Sequence, residues 1–128
     1  MRATPALSPL ERPLGRFGDD RSFQAFWTDL YDHGAEFVIN GHDRNYQRYA
    51  PQTPMGKADP AAGIREFVVG TGGNGHTPVQ PDPVPNREAA NDTAYGVLRL
   101  TLQPGGYEWQ FLSTPKTAYT DSGSDGCH

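Results

Sequence analysis

Residues 38–51 are "VINGHDRNYQRYAP". The apolar run that leads into them, "AEFVIN" (35–40), has the length of a short strand buried on both faces. It halts at Gly41-His42, and polar side chains follow. Two chemistries fit such a halt. A neutral imidazole at a strand tip is a good ligand for Zn, Fe or Mn; an ordinary polar turn leaving a sheet carries the same residues. Functional groups of α/β sheets gather where strands end, because loops there are exposed yet held by a rigid sheet. That position separates His42 from the three other histidines. His33 falls in the last turn of a helix, where an imidazole suits the negative end of the dipole. His76 lies in a loop, and His128, the final residue, is expected to be mobile.

Upstream of the run, Phe23, Phe26, Trp27, Leu30 and Tyr31 recur at one helical face. Asp20 or Ser22 can cap that helix, and Gly34 can end it in the left-handed conformation. Helix, short turn and buried strand make half of a β-α-β unit, whose partner strand is expected from upstream. Downstream, "APQTPMGKADPAAG" (50–63) is a polar loop and "IREFVVG" (64–70) a strand. The glycines of "TGGNG" open its exit, but no helix follows to make a phosphate loop. Residues 77–93 read as loop. "AYGVLRLTL" and "GYEWQFLS" form a hairpin around "QPGG", with Tyr107, Trp109 and Phe111 alternating. The expected class is α/β (α+β), with one helix and four strands, the last two antiparallel.

One domain fits in 128 residues, and a hydrophobic share of 35% allows a modest core. A net charge of −4 without a Lys/Arg cluster argues against nucleic acid or an anionic membrane as partner. The longest apolar runs are far below the ~18 residues of a membrane span. Residues 1–19 read as an irregular lead-in without the apolar core of a signal peptide, and 20–128 as the folded portion. The single cysteine, Cys127, cannot form an internal disulfide.

The stretch 38–51 resembles the last ligand motif of the calcineurin-like metallophosphoesterases, in the purple-acid-phosphatase-type branch. There an apolar strand ends in Asn or Ser, followed by Gly-His-x-His, an aromatic residue and Glu/Gln-Arg. "FWTDLYDHGAEFVINGHD", "GIREFVVGTGG" and "DSGSDGCH" look like the same branch in the same order, so the resemblance covers roughly residues 20–128. It implies the C-terminal part of a metallophosphoesterase-type β-sandwich, with a flanking helix and an antiparallel hairpin at the C-terminus. It also implies a phosphoric ester hydrolase that attacks phosphate esters with a hydroxide activated by two metals, Zn, Fe or Mn. His42 takes a metal-ligand position.

Arg44 stands where the family has its second histidine, and a guanidinium, always protonated and donor-only, cannot coordinate a cation. Asp43 is the neighbouring carboxylate, with its side chain expected to point elsewhere; Asn45, Tyr46 and Arg48 are expected to hold the turn. The family's Asp-x-His, Gly-Asp-x-x-Asp/Tyr and Gly-Asn-His motifs do not occur in these residues. The expectation is therefore a truncated form, inactive alone and not holding its metals stably. The alternative is a non-catalytic remnant or interaction module in which Arg44 binds an anion by bidentate hydrogen bonds. Uncovered strand edges and an apolar face would favour self-association or a complementing N-terminal segment. Members of the family are often secreted.

Overall fold

The computed structural model describes residues 23–128; the lead-in 1–19 and the candidate caps Asp20 and Ser22 lie outside the described residues. Helix α1 (Gln24–Asp32) ends as its sequence predicts. Gly34 adopts φ +70°, its N–H bonds to the Tyr31 carbonyl, and the Ala35 N–H reaches back to Leu30, both at 3.0 Å. That pair of bonds is the Schellman closure, which only a residue at ease with positive φ completes cheaply. The apolar stripe forms but is only partly covered. Trp27 is buried, Leu30 and Tyr31 are half-buried, and Phe23 and Phe26 face solvent at 53% and 57% exposure. The Tyr31 hydroxyl donates to Asp59 at 2.7 Å and ties the helix to the loop after β2.

The described residues hold seven strands in two sheets beside this helix, so the protein is mixed α+β. One sheet has the order β1 (Phe37–Asn40), β3 (Ile64–Val69), β2 (Tyr46–Gln52), β4 (Arg87–Asn91). The other has β5 (Gly96–Gln103), β6 (Gly106–Ser113) and β7 (Thr120–Gly126) in sequence. β1 runs parallel to β3; the remaining pairs are antiparallel.

Three expectations change here. Among the described residues, the parallel neighbour of β1 is the downstream strand β3. Among the described strands β1 sits at the sheet edge, with Ile39 48% exposed rather than buried on both faces, while β3 takes the central, buried place. β2, β4 and β7 arise from stretches that read as turn or loop or carried no strand pattern. β2 tolerates Pro51 because its pairing with β3 slips between Tyr49 and Gln52, where a ladder N–H is not required. The β5–β6 hairpin forms as expected, but β7 adds a third strand along the far side of β6.

The sheets meet through aromatic contacts. Tyr46 lies on Phe111 at 4.5 Å between centroids, Phe37 on Tyr107 at 4.8 Å, and Phe67 edge-on to Trp109 at 5.7 Å. The guanidinium groups of Arg48 (β2) and Arg65 (β3) both lie over the Trp109 ring, at 5.0 and 4.8 Å. β7 completes this layer. Its Asp121, Gly123 and Asp125 stand in register with Phe111, Trp109 and Tyr107. Arg48 grips Asp121 with two bonds, of 2.7 and 3.0 Å, and the Tyr46 hydroxyl adds a third at 2.6 Å. Arg65 donates to Asp125 at 3.0 Å and to Glu88 at 2.6 Å, and Glu88 also pairs with Arg48. Between the two carboxylates only glycine fits, since a Cβ at Gly123 would stand 2.3 Å from the Trp109 ring.

Burial pushes the Asp121 carboxyl up, but the hydrogen bonds from Arg48 and Tyr46 outweigh it and hold the group below the usual range. Its contribution to stability is therefore present above the ordinary aspartate pKa and is lost as pH falls through the lowered value. Arg48→Met strands a charged Asp121 and should cost on the order of 3 kcal/mol in urea unfolding at pH 7. The difference from wild type should shrink in acid. Gly123→Ala overpacks the layer and should cost about 1–3 kcal/mol, whereas Ser122→Ala, on the outward face, should change stability by less than about 0.5 kcal/mol.

Candidate functional site

The chain leaves β1 through a turn at residues 41–45. His42 adopts φ +74°, a conformation that costs a non-glycine residue about 1 kcal/mol or more, and its side chain is exposed. Asp43 N–H bonds to Gly41 O at 3.0 Å and Asn45 N–H to Asp43 O at 2.9 Å, so the turn is wound tightly on itself. The exit of β3 presses against it. A Cβ at Gly70 would fall 1.8 Å from the Asp43 carbonyl oxygen, and the Gly70 N–H bonds to Asn45 O at 3.0 Å. Glycine at this position is a requirement of close approach.

The glycine-rich loop after β3 is laced to the same turn. Thr77 N–H donates to Arg44 O at 3.0 Å, Asn45 Nδ2 donates to Thr77 O at 3.1 Å, and Arg44 Nη1 donates to Asn74 O at 2.7 Å. His76 stacks on Tyr95 with centroids 4.2 Å apart. The structure thus brings His42, Arg44 and the loop 70–77 to one end of the first sheet. Asp43, in contrast, is buried, which raises its carboxyl against the lowering effect of His42.

Of the residues expected to hold the turn, Asn45 does so. Tyr46 and Arg48 belong to β2 and serve Asp121 instead. His33 caps its helix, with Nδ1 2.7 Å from Asp29 O. His128 is fixed rather than mobile, because Glu36 accepts from its backbone N–H at 2.9 Å and meets its Nδ1 at 2.8 Å.

One group escaped the sequence reading. Glu66, at the middle of β3, is buried and accepts a 2.6 Å hydrogen bond from Asn40 Nδ2, one residue before Gly41. Burial pushes its carboxyl up to about 7, with the Asn40 bond opposing. The available signal was a lone acid inside "IREFVV", where an apolar run and a charge disagree.

Among the described residues, no three His, Cys, Asp or Glu side chains converge as a metal site. The turn supplies one exposed imidazole, a guanidinium that repels cations and a buried carboxyl. These residues do not fit a binuclear centre by themselves, so no hydrolytic step is assigned to them alone. No family model, curated protein or solved structure matches the chain.

The strain at His42 is measurable. His42→Ala and His42→Gly both lose the imidazole and only the glycine relieves the left-handed backbone, so His42→Gly should be the more stable of the two by about 1 kcal/mol in thermal unfolding.

Proposed function

We propose that these residues are the C-terminal portion of a binuclear-metal phosphoesterase domain of the purple-acid-phosphatase type. Hydrolysis of phosphate esters would then require further ligands, from a segment that complements this one. The observation that carries the reading is His42, an exposed imidazole on strained backbone where a strand leaves the sheet, beside the glycine-rich exit of the adjacent parallel strand. His42 would hold one of the metals (Zn, Fe or Mn), and the other ligands would have to surround it from outside these residues. The exposed Phe23 and Phe26 of α1, the exposed Ile39 of β1 and the edge position of β1 among the described strands support a complementing segment or a second copy.

Arg44 favours a second reading, a non-catalytic anion-binding module. Its guanidinium is exposed and spends one N–H on Asn74. The rest of the fork is available for a phosphate or carboxylate.

Metal analysis of chain purified without chelator, beside Arg44→His, tests the first reading. Less than one equivalent of Zn, Fe or Mn is expected in wild type, with increased retention in Arg44→His. Equal, negligible retention in both would remove the ligand assignment, and about two equivalents in wild type would overturn the need for a complementing segment. Inorganic phosphate that shifts the amides of residues 72–77 in wild type but not in Arg44→His would favour the second reading.

A further inference from the structure

We propose that Glu66 is a positioning residue for the His42 turn: a buried carboxyl that fixes the Asn40 carboxamide, and with it the point where β1 becomes the turn. Asn40 pairs with Val68 of β3 and sits immediately before Gly41. Its side chain crosses to Glu66 Oε1 at 2.6 Å, so the turn is anchored to the central strand by a side-chain bond as well as by the ladder. Glu66 Oε2 is buried and has no hydrogen-bond partner. A carboxylate with a bare oxygen in a dry layer carries an uncompensated desolvation cost, which protonation removes.

Among the described residues, those in register with Glu66 are uncharged; the Arg87 guanidinium of β4 reaches Gln47 Oε1 at 3.4 Å and is paired with Asp82 at 2.7 Å. Val38 from β1 and Tyr49 from β2 flank Glu66 in register. The Tyr49 hydroxyl donates to Gln47 Oε1 at 2.8 Å, and Gln47 donates in turn to Asn45. Among the described residues, burial and the Asn40 amide alone act on the Glu66 carboxyl; no charged side chain does. Ionisation near neutral pH would put a negative charge against the Asn40 carboxamide, at the end of β1 that leads into the turn. The order of the turn is therefore coupled to the protonation of a group that never reaches the surface. A glutamine here would hold the bond without the coupling.

The functional meaning rests on the His42 turn being the site proposed above, but the test reads the turn directly and needs neither metal nor phosphate. In the full labelled chain, the Glu66 carboxyl carbon, the Asn40 side-chain amide and the Gly41 backbone amide are followed by NMR from pH 5 to 9, in wild type and Glu66→Gln. A common midpoint near 7 is expected in wild type. The Asn40 and Gly41 signals of Glu66→Gln should stay at the low-pH wild-type positions. Unfolding gives a second readout. Because the folded carboxyl is raised, its stabilisation is complete below the ordinary glutamate pKa and is lost as pH rises through about 7. Wild type should lose stability over that window and Glu66→Gln should not. A Glu66 midpoint at about 4–5, or Asn40 and Gly41 shifts that persist unchanged in Glu66→Gln, would overturn the proposal. Failure of the metal-retention experiment would leave this outcome untouched.

Discussion

Two arginines over one tryptophan hold this fold together. Arg48 and Arg65 project from neighbouring strands of one sheet onto Trp109 of the other, and each then needs a carboxylate to stay paired in a half-dry layer. β7 supplies both, spaced by a glycine that makes room for the indole. The aromatic contacts around this layer supply area, but they do not choose which strand lies beside β6. The charge pattern does. Tyr46, directly in line with Arg48 along β2, joins the network through Asp121 and so carries it to within one residue of Asn45 and the turn.

That connection explains how a turn can hold His42 in an unfavourable conformation. The turn is bounded by β1 on one side and β2 on the other, pressed by Gly70 at the exit of β3, and bonded to the loop at Thr77. Strain persists only where the surroundings over-determine the backbone, and here three elements do so. Arg44 contributes to that framework through Asn74 while leaving most of its fork exposed. The same arginine therefore has a structural part and remains available to an anion.

How much of this was legible beforehand depends on what each strand buries. β6 buries Tyr107, Trp109 and Phe111 at alternate positions, so the period of two stood out. The Gly34 stop and β3 were plain for similar reasons. β2 presents Tyr46 and the half-buried Arg48 to the opposite sheet, and an inward arginine counts as polar in any hydropathy pattern, so the strand looked like a turn. β7, "TDSGSDG", contains no large apolar side chain. Its propensity is that of a loop, and only the opposite sheet makes it a strand. The edge position of β1 was invisible because periodicity cannot distinguish a strand with two neighbours from one with a single neighbour. At the site, His42 was legible from its place at the end of an apolar run. Glu66 was not, since a carboxyl raised by burial looks in sequence like any other glutamate.

The central claim is that β7 owes its existence as a strand to its carboxylates and the arginines opposite. Native-state hydrogen exchange on the intact chain tests it most directly. The account predicts that amides of β7 exchange together with those of β6 and β2, at the free energy of global unfolding. Exchange of β7 at the rate of unstructured peptide, with β2, β3 and β6 still protected, would contradict it.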